Sequence, residues 1–158
     1  MVEILTRGNI ELEGFRSTTQ AVKRYRDEIL NDMLRDHYTL YTGNSPALSR
    51  GGAATGVPMI ATFIPAKDFE ETVYRYFGGS SVKHADGGVF RYLKDAEGYT
   101  APVQAQQSGV RIAVSSLEET EHTYRMTFTL SRGGETSDTY RAVFVKRGDG
   151  TCYFYSLG

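Results

Sequence analysis

The chain of 158 residues falls within the usual size of one folding unit, and we expect a single domain over residues 1–158. Its 18 basic and 19 acidic residues leave a net charge of −1, which disfavours nucleic-acid binding because such binding depends on an excess of positive charge. The longest apolar run, residues 59–64, is far shorter than the roughly 20 residues that span a bilayer, so we expect no membrane-spanning segment.

The first predicted element is a long amphipathic helix that begins after Ser17. Ser17 and Gln20 have the spacing of a capping box, in which the serine hydroxyl accepts from the backbone N–H of Gln20 and the glutamine side chain reaches back. Apolar residues then recur every three or four positions, which predicts one buried stripe. The stripe consists of Val22, Tyr25, Ile29, Leu30, Met33, Leu34 and Tyr38. Gly43 can close the helix, so we expect it to end near Thr42.

A loop, a short strand and a second helix are predicted next. Residues 44–58 are small and show no periodicity, which is typical of a long loop. We expect a strand at residues 59–64 and then a helix that starts either at Pro65, which suits the first helical position, or after an Asp68 cap. The buried face of this helix comprises Phe69, Val73, Tyr76 and Phe77, and Gly78 or Gly79 ends it.

The apolar pattern of the second half changes to a period of two, which predicts antiparallel strands. Alternating apolar residues and the turns between them predict strands at 110–115, 123–130, 139–147 and 151–157. Earlier, residues 88–93 and 98–103 are expected to form a hairpin, with Pro102 placing the latter strand at a sheet edge or at a strand end.

These elements predict an α+β domain, in which a long helix and a shorter second helix pack on a curved antiparallel sheet of about four to six strands. The order of elements resembles the cystatin-like and nuclear-transport-factor-2-like rolls, whose topology places a long helix against a curved sheet. That resemblance concerns the fold only.

Three sequence stretches resemble uncharacterised extracytoplasmic domains of Gram-positive bacterial lipoproteins. They are IPAKDFEETVYRYFGG, GVFRYLKDAEGYT and the ending GDGTCYFYSLG. The resemblance runs from Ile64 to the end of the chain, and Cys152 stands where an aromatic residue is common in these domains. It implies a non-catalytic cell-surface domain and supplies no catalytic residue. We therefore expect an extracytoplasmic location, as the mature part of a lipoprotein or secreted protein, with a cytoplasmic location as the alternative.

The sequence offers few residues with catalytic or ligand-binding spacing. The glycine-rich residues 50–56 lack the Lys-Ser or Lys-Thr pair of a phosphate-binding loop. His84 and Asp86 could share a metal or a proton, but three scattered histidines and one cysteine do not make a zinc site. Cys152 lies in a predicted strand, where a small buried residue is the commoner role. We predict no catalytic residue, no metal and no cofactor.

Tyrosine is the one residue type that stands out, with 11 in the chain. Many lie in the elements that would line one face of the sheet, where they could pack at the rim of the core or form a recognition surface. The candidate binding residues are Tyr76, Tyr92, Tyr99, Tyr153 and Tyr155.

Three functions stay open at this point. The first is a non-catalytic binding module for a protein or cell-wall partner, indicated by the missing catalytic constellation and the tyrosines. The second is a small enzyme or small-molecule binder with a pocket between helix and sheet, in which His84 or Asp86 would act as acid or base. The third is an intracellular scaffold or assembly domain, and the sequence does not indicate its oligomeric state.

Overall fold

The structure is a computed structural model that describes residues 1–6, 10–34, 40–42, 60–102 and 109–158. Its helices are α1 (Val2–Leu5), α2 (Thr18–Met33) and α3 (Ala66–Phe77), with a short 3-10 helix at Lys94–Ala96. Its strands are β1 (Leu40–Thr42), β2 (Ile60–Pro65), β3 (Arg91–Leu93), β4 (Gly98–Pro102), β5 (Arg111–Glu119), β6 (Thr123–Arg132), β7 (Glu135–Thr136), β8 (Tyr140–Lys146) and β9 (Cys152–Leu157). Within these ranges, no helix is long and apolar enough to cross a membrane.

The strands form two antiparallel sheets. The first sheet has the order β1-β2-β4-β3, and the second has the order β5-β6-β8-β9, with β7 paired to β6. The α+β class with helices on antiparallel sheet is therefore confirmed, although the strands are divided between two sheets. The hairpin of β3 and β4 is also confirmed. However, β4 lies between β2 and β3, so the sheet-edge alternative is wrong and Pro102 ends an interior strand.

Helix α2 begins as predicted but ends earlier. The Ser17 hydroxyl accepts from the Gln20 N–H at 3.3 Å, and the Gln20 side chain accepts from the N–H of Arg16 at 2.9 Å. The helix ends at Met33, and Leu40–Thr42 is strand β1, so the prediction of a helix up to Thr42 is wrong there. Pairing with β2 gives these backbone groups partners that a sequence periodicity does not reveal. The predicted loop at 44–58 lies outside the described residues.

Helix α3 confirms the second helical prediction. Its first residue is Ala66 and Pro65 is the capping residue, with no side-chain cap from Asp68. Gly78 ends it in the left-handed conformation, with φ of 76°, and its N–H bonds to the carbonyl of Tyr74. Phe69, Val73 and Phe77 are buried along one face, as the spacing predicts.

The helices and both sheets share one hydrophobic core. The predicted stripe of α2 is buried at Val22, Tyr25, Ile29, Leu30 and Met33. The core continues through residues of β2 and β4 in the first sheet and of β6, β8 and β9 in the second. One apolar cluster therefore joins the two sheets through the helices that lie on them.

A bulge adapts β9 to this core. Phe144 pairs with Phe154 and Val143 pairs with Ser156, so Tyr155 is an extra residue on β9. In a regular strand, residues three positions apart face opposite sides. The extra residue lets Phe154 and Leu157 both face the core, where each is almost fully buried.

The end of α3 offers a test of this packing. Alanine at position 78 would require a left-handed conformation, and its Cβ would lie 2.6 Å from the Tyr153 ring. We expect Gly78→Ala to lower the free energy of unfolding by about 1 to 2 kcal/mol or more, measured by urea denaturation. Gly148→Ala is the control, because nothing lies within 4 Å of its added Cβ. Equal losses in the two variants would contradict the proposed packing.

Candidate functional site

The loop between α3 and β3 is held against α2 by two charged side chains. The Arg26 guanidinium donates to the carbonyls of Lys83, Ala85 and Asp86 at 2.8 to 3.2 Å. Asp27 accepts from the N–H of Val89 at 2.9 Å. These bonds give the loop one fixed conformation on the helix surface.

Glycine is required where this loop passes closest to α2. A Cβ at Gly87 would lie 1.7 Å from a carboxylate oxygen of Asp27, far inside van der Waals contact. Gly88 approaches the other carboxylate oxygen, at 2.9 Å from its would-be Cβ. The glycine pair therefore allows the loop to lie directly on the Asp27 carboxylate.

This loop places His84 between two hydrogen-bonding side chains. Nδ1 of His84 lies 2.9 Å from the Tyr99 hydroxyl, and Nε2 lies 2.8 Å from Oε1 of Glu70. Because an ionised carboxylate only accepts, Nε2 carries a proton, and in the neutral ring Nδ1 accepts from Tyr99. The ring of Tyr92 stacks on His84 with centroids 4.8 Å apart. The result is a series of hydrogen bonds from a surface carboxylate to a buried phenol, Glu70–His84–Tyr99, which we call the His84 chain.

His84 and Asp86, which could by their spacing share a metal or a proton, bond to different partners. Asp86 accepts from the N–H of Tyr92 and from Arg91, and its pKa is lowered by these two bonds, chiefly the first. His84 bonds to Glu70 and Tyr99 instead. In the part of the chain that the structure describes, no three metal-ligating side chains come together.

The chemistry open to the His84 chain is restricted by burial. Tyr99 is fully buried, and burial raises the pKa of its phenol to about 12. Both ring nitrogens of His84 have partners within the protein, so neither is available to take a proton from a substrate. The arrangement satisfies buried polar groups and links α3, the loop and β4.

The five candidate tyrosines occupy different places. Tyr92 and Tyr99 come together, with ring centroids 5.0 Å apart, while Tyr76 donates to the Asp32 carboxylate at 3.2 Å. Tyr153 lies under the guanidinium of Arg147, and Tyr155 is 53% exposed. The structure therefore does not gather these tyrosines into one surface.

Arg147 closes the end of α3. Its guanidinium donates to the carbonyls of Tyr74 and Arg75 at 2.7 and 3.1 Å, where a helix end favours positive charge. It also lies over the rings of Tyr74 and Tyr153. Tyr153 is thereby part of a structural contact between α3 and the second sheet.

Two cavities, each about 450 Å3, open on the described surface. One is lined by the β6–β7 turn and the start of β5, and includes Arg111 and Arg132. The other lies on α3 and includes Asp68 and Arg75. Neither has His84 or Tyr99 in its walls.

An uncovered apolar surface lies at the β5 side of the second sheet. Cross-strand pairing places Ile112, Val114 and Leu117 on the same face as the buried Phe128 and Leu130. Yet Val114 is 53% exposed and Leu117 is 63% exposed. We call the surface formed by Val114, Leu117, Tyr124 and Met126 the open sheet end.

The open sheet end is bordered by an ion pair. Lys146 of β8 donates to the carboxylate of Glu119 and, at 2.7 Å, to the carbonyl of Thr120, and its ammonium lies 4.5 Å from the Tyr124 ring centroid. The Lys146 hydrogen bond lowers the pKa of Glu119, and Glu119 raises the pKa of Lys146. These contacts tie the last residue of β5 across β6 to β8.

Sequence reasoning missed the open sheet end. Alternation predicts a strand at 110–115 with Val110, Ile112 and Val114 on one face, but Leu117 breaks that alternation. The reason is a bulge between Val114 and Ser116. A leucine three residues beyond an alternating run was the available signal, although a turn would produce the same pattern.

Comparison of the chain with protein-family models, with curated proteins and with solved structures found no match.

The His84 chain can be tested by removing one hydroxyl. Tyr99→Phe leaves Nδ1 of His84 without its hydrogen-bond donor, and we expect it to lower the free energy of unfolding by about 1 to 3 kcal/mol. Tyr155→Phe removes the same atom from an exposed ring and should change it by less than about 0.5 kcal/mol. Urea denaturation measures both, and a neutral Tyr99→Phe would contradict the assigned hydrogen bond.

The Asp86 contacts predict a pH dependence. Since the pKa of Asp86 is lowered in the folded state from its ordinary value of 3.8, the unfolded chain takes up this proton first as the pH falls. Stability from Asp86 is therefore present above pH 3.8 and lost below it. Asp86→Asn should flatten the acid limb of a stability-against-pH curve, measured by urea denaturation, whereas Asp138→Asn should leave it unchanged. An unaltered acid limb in Asp86→Asn would count against these contacts.

Proposed function

We propose that this protein is a non-catalytic interaction module that binds an extended segment of a partner protein along β5 and the open sheet end. One observation carries this proposal: the apolar face that forms the core elsewhere continues uncovered onto Val114 and Leu117. Exposed apolar side chains that adjoin one another are typical of protein-binding surfaces.

The free edge of β5 supports the same proposal. Within the described ranges, no strand pairs with the side of β5 that faces away from β6. Its nine residues, Arg111–Glu119, contain no proline. Such an edge presents unpaired N–H and C=O groups to a second strand, and side chains on the adjoining face supply specificity.

The charges on β5 indicate the chemistry of its partner. Arg111 lies at one end of the strand and Glu118 at the other, and both are exposed. An antiparallel partner would therefore carry an acidic residue near Arg111 and a basic residue near Glu118, with apolar side chains between them.

The His84 chain gives less support to the enzymatic alternative. Both ring nitrogens of His84 have partners, Tyr99 is fully buried, and the two cavities described above lie elsewhere. An acid or base catalyst needs a proton donor or acceptor that a substrate can reach, and the most exposed group here, the Glu70 carboxylate, is already bonded to His84.

We also propose that the module lies outside the cytoplasm. The support for this is the resemblance of residues 64–158 to lipoprotein domains. Cell fractionation of a tagged full-length gene product tests it, with recovery in the cell-wall or membrane-anchored fraction as the expected result and recovery in the cytosol as the contrary one.

Peptide selection tests the proposed binding surface. We expect a phage-displayed random peptide library, selected on the purified protein, to yield extended sequences with apolar residues between opposite charges. Leu117→Lys should weaken binding of a selected peptide by at least about tenfold, because it places a charge in the apolar surface. Tyr155→Lys, an equally large change at another exposed position, should leave it unaltered.

Two results would contradict the proposed binding of an extended segment along β5. One is a library that yields no peptide above background. The other is a set of selected peptides whose affinity for Leu117→Lys equals that for the wild-type protein. Loss of binding in Tyr155→Lys alone would move the site to β9.

A further inference from the structure

The backbone of Ile112 points toward the free edge of β5. Its partner across the sheet is Leu130, whose N–H donates to the Ser137 hydroxyl at 2.9 Å and whose carbonyl accepts from the Ser137 N–H at 2.8 Å. Both groups of Leu130 thus point away from β5. Ile112 and Leu130 therefore form a non-hydrogen-bonded pair, in which the N–H and C=O of each residue point away from the other strand. The N–H and C=O of Ile112 thus point away from β6, toward the free edge of β5.

The bulge gives Leu117 the same orientation as Ile112. Val114 pairs with Phe128 and Ser116 with Thr127, so Ser115 is an extra residue in β5. Leu117 pairs with Met126, which lies on the same face of β6 as Leu130. Without the bulge, residues 112 and 117 would face opposite sides of the sheet. With it, they share one face and one edge direction.

This orientation makes β5 complementary to itself. In a symmetric antiparallel pair, cross-strand partners lie on the same face of the sheet. The register that places Ile112 opposite Leu117 of a second copy meets this requirement. The same register places Arg111 opposite Glu118 of the second copy, on the other face. Twofold symmetry forms each of these pairs twice.

Charge decides between the possible registers. Arg111 and Glu118 are exposed, and among the described residues neither lies within ion-pair distance of an opposite charge, while Arg125 of β6 is the cross-strand neighbour of Glu118. Opposite charges directly across two strands stabilise their pairing, and like charges destabilise it. A register displaced by two residues would place Val114 opposite Leu117 of the second copy, but it would also place Ile112 against Glu119 and Arg111 opposite Thr120, so it lacks the charge match.

We propose that two copies of this protein form a symmetric dimer through antiparallel pairing of their β5 strands, with Arg111 of each copy opposite Glu118 of the other. The dimer joins β9-β8-β6-β5 of both copies into one continuous sheet. It rests on the proposed function, because it uses the same edge and open sheet end, and it names a second copy as the extended partner.

Charge reversal tests the register. Sedimentation equilibrium from about 1 to about 300 µM should show a dimer of the wild-type protein. Arg111→Glu and Glu118→Arg each create two like-charge pairs, so each should raise the dimer dissociation constant at least about tenfold. The double variant Arg111→Glu with Glu118→Arg restores both pairs and should dimerise like the wild type. Arg141→Glu, on β8, is the matched control and should not alter dimerisation.

Mixing the two single variants gives the sharpest result. In a heterodimer of Arg111→Glu and Glu118→Arg, position 111 of each chain faces the opposite charge at position 118 of the other chain. We expect the mixture to form dimers that neither variant forms alone. All variants change exposed residues, and circular dichroism checks that each is folded. Glu118→Arg also faces Arg125 of its own chain, and the double variant, which carries the same change, controls for that contact.

The proposed dimer is overturned if the wild-type protein is monomeric over the whole concentration range, or if it forms a dimer that single charge reversals leave unchanged. A monomer that still binds selected peptides in a Leu117-dependent manner keeps the proposed function and removes the dimer. A charge-dependent dimer with no selected peptides keeps the dimer and removes the wider binding function.

Discussion

Phe15 lies where two helices and the second sheet meet, and the rest of the fold depends on this contact. Its ring packs edge-on against Tyr25 of α2, Phe77 of α3 and Phe154 of β9, with centroids 5.0 to 6.1 Å apart. Its backbone exchanges two hydrogen bonds with Leu157, which covers the end of the β9 edge. Burial of one aromatic side chain thus joins elements that are distant in sequence, and its truncation would leave a cavity between α2, α3 and β9.

As a result, the two edges of the second sheet differ in how far other residues cover them. The end of the β9 edge is paired with Phe15, and α3 packs on the core face of β9, with Arg147 bound to the carbonyls of Tyr74 and Arg75. The β5 edge has no such covering among the described residues, and the core face extends beyond the packed region onto Val114 and Leu117. Apolar surface that folding leaves in water can be buried by association, which is the physical basis of the proposed interaction and of the proposed dimer.

Polar side chains fix the loop between α3 and β3. Arg26 and Asp27 of α2 fix the loop that carries His84. His84 then links Glu70 of α3 to Tyr99 of β4. A set of residues with catalytic appearance therefore acts as a structural link, because its hydrogen bonds are closed within the protein.

Local pattern by itself determined the α+β class, the capped start of α2, the extent of α3 with Gly78 at its end, and the strands of the second half. These depend on periodicity, capping and turn residues, which act within a few positions along the chain. Tertiary structure alone decided the division into two sheets, the strand at Leu40–Thr42, the partners of His84 and the exposure of Leu117. Each of these depends on which distant segments pair, and on a single extra residue in β5 that reverses the faces of all residues after it.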